Sequence, residues 1–272
     1  MKFKSIFILL NITLLLFLVI LILMPLLMLG SAFSVSFWRV NWPQILILLV
    51  LFIAFNTFYF INRTLFLLLE KEDWPALVRY LEDRVIQKGR YSSRLVRLLA
   101  NSYLVLSDSA AVMSLENKVA LARPAVLEAN VLVFGAARIL GKDISGAIRF
   151  FEARKDTVKP KFKEWVHWYY GFALLLDRRF EAAGTEFCIL ARLSKDGVIA
   201  ALSSYFLSEV IAKSLAEKEA EYRETASLGK GRVLAAFPLQ KNWNKEIFRR
   251  SSEIHAAALS KYMEETGKWM YK

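Results

Sequence analysis

Residues that could bind a metal or act in catalysis are few and scattered in this 272-residue chain. His167 and His255 are its only histidines, and no cysteine or second histidine lies near either one. Structural and catalytic metal sites need several His, Cys or carboxylate ligands close together. Cys188 is the single cysteine, and its neighbours Phe187 and Ile189 are typical of a small buried thiol. The sequence therefore predicts no metal and no cofactor.

Other candidate motifs are equally weak. The stretch LGKGR at residues 228–232 has glycines and a lysine but not the spacing of a phosphate-binding loop, and no predicted strand precedes it. We expect a linker there. The carboxylates of Glu264 and Glu265, and those of residues 217–221, fall on charged helix ends and are expected to be solvated. No catalytic set is assembled, so the sequence predicts a protein that is not an enzyme.

One group of basic residues could bind an anionic surface. It consists of Arg154, Lys155, Lys159, Lys161 and Lys163. Anionic lipid headgroups and an acidic partner are its functional interpretations. A nucleic acid is not expected, because no aromatic side chains for base stacking are interleaved with the charges. The alternative is a solvated turn around Pro160.

The first 69 residues are nearly devoid of charge. They contain no Asp or Glu, and residues 3–29 and 42–69 are apolar runs long enough to cross a bilayer as helices. We expect a transmembrane hairpin over residues 1–69, in which Asn11 and Asn56 face each other or a neighbour, because amides in hydrocarbon require partners. The alternative is a cleaved signal peptide, for which the first run is too long.

Basic residues flank the two runs unequally. Lys2 and Lys4 precede the first run, only Arg39 lies in the loop over residues 30–41, and several Lys and Arg follow the second run. The positive-inside rule then predicts that both termini and the rest of the chain lie in the cytoplasm, with the hairpin in the inner membrane.

Residues 70–272 show apolar spacing typical of helices and no strand signals. Their short breaks are periodic, because Asp73, Asp108, Asp143 and Arg179 follow one another at intervals of 35, 35 and 36 residues. A fixed period in this range indicates a helical repeat. The same offset of 36 residues carries Gly135, Ala147 and Phe151 onto Gly171, Ala183 and Phe187.

This pattern resembles the tetratricopeptide repeat, a helix-turn-helix unit with small and aromatic residues at fixed positions. The resemblance covers residues 70–196 and implies an all-α solenoid of three to four helical hairpins. Its units carry Ala100, Tyr103, Asp108 and Pro124, then Gly135, Asp143, Ala147 and Phe151, then Gly171, Ala183 and Phe187. Val112 and Glu116 depart from the pattern. An irregular helical bundle is the alternative.

Residues 197–272 lack the period. We expect a helix over residues 198–226, a linker over residues 227–238 and one amphipathic helix over residues 242–271. These carboxy-terminal helices would cap the open end of the solenoid.

The resemblance also implies a concave face lined by the first helix of each unit, where a protein partner binds. The positions that it points to are Arg94, Arg97, Asn101, Trp165, Trp168 and Phe172. Arg and aromatic residues often dominate interface energetics. The alternative is that the carboxy-terminal helices bury these aromatic side chains.

Together these patterns predict a membrane-anchored scaffold or assembly factor of the bacterial envelope that binds another protein. A component of a membrane enzyme or transport complex, or an anionic-lipid-binding domain, are the alternatives.

Overall fold

The computed structural model describes residues 3–250 and 259–272. Every regular element in these residues is helical, so the all-α prediction is confirmed for the described part of the chain. The chain divides after Tyr80 into two compact units.

The first unit is dominated by helix α1, Phe3–Glu70, which contains one non-helical residue, Gly30 (φ 82°, ψ 172°). This backbone conformation is accessible essentially to glycine alone. The predicted loop over residues 30–41 is wrong, because residues 31–41 are helical. One helical run, Lys4–Glu70, rather than two separate ones, is long and apolar enough to cross a membrane.

Contacts inside α1 show that its two halves lie side by side. The rings of Phe7 and Tyr59 stack with centroids 3.6 Å apart. The Asn56 side-chain amide donates to Asn11 Oδ1 over 2.9 Å. A straight helix would separate residues 7 and 59 by roughly 80 Å at 1.5 Å per residue. The chain therefore reverses at Gly30, and the predicted pairing of Asn11 with Asn56 is confirmed.

Helix α2, Trp74–Glu82, continues into a π-helical turn, Asp83–Gln87, and the remaining helices follow in the second unit. They are α3 Ser93–Val105, α4 Ser109–Ala122, α5 Pro124–Glu128, α6 Val131–Leu140, α7 Ile144–Glu152, α8 Pro160–Leu176, α9 Phe180–Leu193, α10 Gly197–Phe206, α11 Glu219–Ala236, α12 Gln240–Arg250 and α13 Ser260–Met270. From α3 to α11 packing is mainly between helices close in sequence, while α13 packs on α10 and α12.

The same turn recurs between paired helices. Ser107, Lys142 and Arg178 have φ angles of 60°, 62° and 61°, and Glu72 in the first unit has 53°. After each of the three, a backbone N–H bonds back to the preceding helix, as from Asp143 to the Arg138 carbonyl over 2.9 Å. This is the Schellman closure of a helix end. The predicted turn positions at Asp73, Asp108, Asp143 and Arg179 are confirmed.

The aspartates of these turns cap the helices that follow. Asp108 accepts from the Ala111 N–H and Asp143 from the Gly146 N–H, each over 2.9 Å. Such caps satisfy donors that the helix itself leaves free. Arg179 makes no side-chain cap at the start of α9.

Glycines and phenylalanines of equivalent positions meet where the helices pair. A Cβ on Gly135 would lie 2.0 Å from the Phe151 ring, and one on Gly171 would lie 3.1 Å from Phe187. The Phe151 ring then stacks on Tyr169 of the next helix pair at 5.5 Å. Glycine thus permits close pairing of two helices, and phenylalanine fills the space toward the next pair, as the repeat predicts.

The departure at Val112 and Glu116 has a physical reason. Val112 is fully buried, and Glu116, at the position equivalent to Phe151, is 6% exposed. Both Glu116 carboxylate oxygens accept from Arg138 Nη2, at 3.0 and 2.9 Å. A charge-assisted hydrogen-bonded pair therefore joins α4 to α6 where aromatic stacking joins the later pairs.

The carboxy-terminal prediction needs correction. The helix expected over residues 198–226 is interrupted by a π-helical turn, Leu207–Ile211, and a 3₁₀ turn, Ala216–Lys218. The linker expected over residues 227–238 is mostly helix α11, in which Gly229 packs on Ser204. The expected helix over residues 242–271 is described as α12 and α13, and residues 251–258, with Ile254 and His255, lie outside the described residues.

We predict that Gly135→Ala lowers the free energy of unfolding by about 1–3 kcal/mol, because the added methyl overlaps the buried Phe151 ring. The matched control is Gly231→Ala, where no atom lies within 4 Å of the added Cβ. That variant should gain about 0.5–1 kcal/mol from helix propensity. Thermal unfolding of the full chain in detergent measures both, and an unchanged midpoint for Gly135→Ala would contradict the packing.

Candidate functional site

The three aromatic residues of the predicted groove are buried. Trp165, Trp168 and Phe172 are 7%, 0% and 5% exposed. Trp168 stacks on Phe172 at 5.1 Å, and Tyr262 of α13 packs edge-on against Phe172 at 5.6 Å. The prediction that these residues form an open binding surface is therefore wrong, and the alternative, burial beneath carboxy-terminal helices, describes the structure.

The polar residues predicted for the same groove lie on α3. Arg94 is exposed, whereas Arg97 Nε donates to Asn130 Oδ1 over 3.1 Å and so ties α3 to the start of α6. Asn101 Oδ1 is buried without a hydrogen-bond partner in the described part of the chain. The structure does not bring these side chains to the three aromatic residues as one lining, and a binding role for Arg94 or Asn101 stays a prediction.

A pocket of about 250 Å³ lies where α6, α8 and the start of α13 meet. It is lined by Ala136, Ile139, Leu140, Tyr169, Phe172, Leu176, Leu259 and Tyr262. Leu140 and Leu176 are 52% and 42% exposed, and they are 36 residues apart in sequence. Phe172 alone of the predicted groove residues lines this pocket.

Sequence analysis missed the two leucines, although a signal existed. Leu140 and Leu176 occupy equivalent repeat positions, as does Val105, which is 44% exposed. Apolar residues at the carboxyl ends of successive first helices, immediately before each turn, mark an exposed row. The 36-residue offset that pairs Gly135 with Gly171 also pairs these leucines.

Two residues of the predicted basic cluster form ion pairs with glutamates of the same domain. Lys155 Nζ lies 3.1 Å from Glu186 Oε1, and Arg154 Nε lies 3.3 Å from Glu128 Oε1. The other three, Lys159, Lys161 and Lys163, are exposed. The five residues therefore do not form one anion-binding cluster.

Glu186 is the centre of a largely buried charged group. It is 9% exposed, and its second oxygen lies 3.0 Å from His167 Nδ1. Burial alone would raise the pKa of Glu186, but hydrogen bonds from His167 and Lys155 outweigh burial and lower this pKa below its ordinary value. These contacts tie α8, α9 and the segment after α7 together.

The segment at residues 228–232 is structural. Arg232 donates to the Ala191 carbonyl and the Ser194 carbonyl, each over 2.9 Å. These acceptors lie at the carboxyl end of α9, where a cation also offsets the helix dipole. Across the described ranges, no group of three or more His, Cys, Asp or Glu side chains could hold a metal ion.

In its described residues the protein is all-helical, with a long apolar amino-terminal helix. The chain belongs to the family described as "Uncharacterised Treponema protein", whose model matches residues 111–272. It is also 29% identical over 232 residues to a protein of Treponema pallidum (strain Nichols) described as "Uncharacterized protein", over 83% of this chain and 74% of that protein. No solved structure matches the chain.

The lowered pKa of Glu186 predicts acid sensitivity. A carboxyl whose pKa is lower in the folded state stabilises the fold above its unfolded pKa of about 4.3, and this stabilisation is lost as pH falls. Glu186→Gln should therefore lower the folding stability at pH 7. It should also reduce the additional stability that the protein loses as the pH falls below about 4.5. Thermal midpoints measured from pH 7 to pH 3 test this expectation.

The matched control is Glu217→Gln, since Glu217 is exposed and no hydrogen bond or ion pair is recorded for its side chain in the described residues. Its pH profile should follow that of the unmodified chain. Equal acid sensitivity of Glu186→Gln and the unmodified chain would show that the bonds to Lys155 and His167 contribute no net stability.

Proposed function

We propose that this protein is anchored in the inner membrane by a two-pass helical hairpin and uses a cytoplasmic helical-repeat domain to bind a partner protein. The observation that carries the binding role is the apolar pocket between α6, α8 and the start of α13. Binding rather than catalysis is the role that this site supports, because its lining is apolar.

The membrane hairpin is supported by the surface and length of α1. Its amino-terminal half up to Gly30 has about 27 residues, above the ~20 that a bilayer-spanning helix requires. Large apolar side chains point outward on both halves, with Leu27 78% and Val40 74% exposed. The Asn56 amide instead donates to Asn11 Oδ1, and the Asn11 amide donates to the Phe7 carbonyl, since polar groups in hydrocarbon require partners. Lipid is the solvent that suits such a surface.

A cytoplasmic location for both ends is supported by charge. Lys4 lies at the start of α1, and Lys71, Arg79 and Arg84 follow its end, whereas Arg39 is the one basic residue near Gly30. Lys and Arg are retained on the cytoplasmic side of membrane helices.

Labelling of single cysteines tests this topology. Cys188→Ser removes the one native cysteine, after which Ser36→Cys and Lys272→Cys each provide a single thiol. We predict that an impermeant maleimide labels position 36 in intact spheroplasts and labels position 272 only after lysis. Labelling of both positions from the same side would contradict a hairpin that crosses twice.

A solenoid of tetratricopeptide-like units is supported by three repeated features of the second unit. The turns at Ser107, Lys142 and Arg178 share one backbone conformation. Gly135 and Gly171 each face a phenylalanine of the paired helix. Stacked rings then join one helix pair to the next. Repeats built in this way expose the ends of their first helices side by side.

The pocket at these helix ends suits an apolar protein side chain. Its volume of about 250 Å³ is below the roughly 300–1,000 Å³ typical of small-molecule sites. Leu140 and Leu176 form a partly exposed rim around the buried Phe172. Apolar anchors that enter such pockets carry much of the binding energy in protein interfaces.

Site-specific photocrosslinking tests the pocket in the native membrane. A photoreactive phenylalanine analogue at Leu140 or Leu176 should crosslink one discrete protein. The matched control is the same analogue at Leu121, which is 90% exposed on α4 and does not line the pocket. Leu176→Glu should abolish the crosslink formed from position 140, because a carboxylate at the rim opposes apolar burial.

Equal crosslinking from positions 121 and 140, or a crosslink that survives Leu176→Glu, would contradict a binding site at the pocket. Circular dichroism of each variant in detergent checks that the helices remain intact.

A further inference from the structure

Three lysines at the start of α8 have no ionic role inside the domain. Lys159, Lys161 and Lys163 are exposed, and none is within salt-bridge distance of a carboxylate in the described residues. The first turn of α8 contains no acidic residue, and Lys159, its N-cap, provides no side-chain cap. Cations at a helix amino terminus are electrostatically unfavourable, so their presence has no explanation in the stability of α8.

A fourth lysine joins them from the loop after α9. Glu164 Oε1 accepts from the Lys195 N–H over 3.2 Å, and Glu164 Oε2 accepts from Ser194 Oγ over 2.5 Å. These bonds hold residues 194–196 against the second turn of α8. The backbone of the exposed Lys195 is therefore held beside Glu164 in the second turn of α8, and the Glu164 carboxylate accepts hydrogen bonds from this loop.

An exposed apolar residue lies beside this cluster. Leu193, the last residue of α9, is 73% exposed and immediately precedes the loop that Glu164 holds. Arg232 binds the carbonyls at the same helix end and adds a further cation. Asp196, the acidic residue of this loop, forms a salt bridge with Arg250 at 2.7 Å. Lys159, Lys161, Lys163, Lys195 and Leu193 thus lie at the same end of the α8–α9 pair, where the start of α8 meets the end of α9. We call this cationic end of the helix pair, with its one exposed leucine, the basic face.

We infer that the basic face binds the anionic phosphate headgroups of the membrane surface, an inference that rests on the proposed anchoring of α1 in a bilayer. Clustered lysines near a membrane are attracted to acidic lipids without a shaped site. An apolar side chain beside them strengthens binding, because it can be buried at the boundary between headgroups and acyl chains. Anchoring raises the local lipid concentration, so weak single contacts suffice.

Lipid explains this composition better than an acidic protein does. All four cations of the basic face are lysines, which act as point charges, whereas recognition of one carboxylate or phosphate group with fixed geometry favours the planar fork of arginine. The arginines nearby, Arg232 and Arg250, are used for internal contacts. A diffuse anionic surface requires charge but no fixed geometry.

Lysine acylation of the full chain in lipid nanodiscs tests the inference. The chain is placed in discs of phosphatidylcholine alone or mixed with phosphatidylglycerol, and mass spectrometry follows the acylation rate of each lysine. We expect rates at Lys159, Lys161, Lys163 and Lys195 to be several-fold lower in the anionic discs. Salt near 1 M, where screening acts over about 3 Å, should restore them.

Lys118 and Lys268, exposed on α4 and α13, are the internal references, and their rates should be the same in both discs. Combined substitution Lys159→Gln, Lys161→Gln and Lys163→Gln should remove most of the protection at Lys195. The matched control is Lys118→Gln, which should leave that protection intact.

Equal rates at the four lysines in both kinds of disc, from a chain that elutes with the discs, would overturn the lipid inference alone. A chain that elutes separately from the discs would overturn the anchoring proposal and this inference together. Protection that appears only when an acidic protein fraction is added, and not with anionic lipid, would assign the basic face to a protein partner instead.

Discussion

The second unit depends on one recurrent constraint, the tight closure between paired helices. At Ser107, Lys142 and Arg178 the backbone adopts the left-handed conformation, which is unfavourable by roughly 1–2 kcal/mol for residues other than glycine. The hydrogen bonds that close each helix end offset this cost. Because every closure has the same geometry, the two helices leave the turn at similar positions, and Gly135 comes to face Phe151 as Gly171 faces Phe187.

Joining one helix pair to the next is chemically less uniform than forming the turn. Phe151 stacks on Tyr169, and Phe187 stacks on Phe206 at 5.7 Å, but the equivalent position in the first pair is Glu116, which binds Arg138. An apolar contact tolerates small shifts of the helices, whereas the hydrogen bonds from Arg138 Nη2 to both Glu116 oxygens restrict the direction of approach. The three turns therefore share one geometry while the contacts between helix pairs differ in chemistry, and the spacing of the turns is more regular than the residues at the contacts.

The sequence predicts the local features of this fold better than the distant contacts. The four turn positions and the pairing of Asn11 with Asn56 depend on short-range geometry or on the demand of amides for partners. Trp168 and Phe172 are buried by Phe206, and Phe172 also by Tyr262, while Arg250 lies over the Trp165 ring. These partners lie far along the chain. Helical spacing predicts that the aromatic residues share one face of the helix, but it does not predict whether solvent or another helix contacts that face. Gly229 misled for a related reason, because α11 places this glycine where Ser204 lies close.

Burial and pairing also divide the charged residues into two groups. Lys155, Arg138 and Arg250 each have a carboxylate partner between helices, and their charges serve packing. Lys159, Lys161 and Lys163 lack such partners in the described residues and occupy a helix start that disfavours cations. Selection for stability would place acids there. The proposed contact with anionic lipid accounts for charges that oppose the helix dipole. The distinction between cations with and without a carboxylate partner, rather than their nearness in sequence, is what assigns the three lysines to that contact.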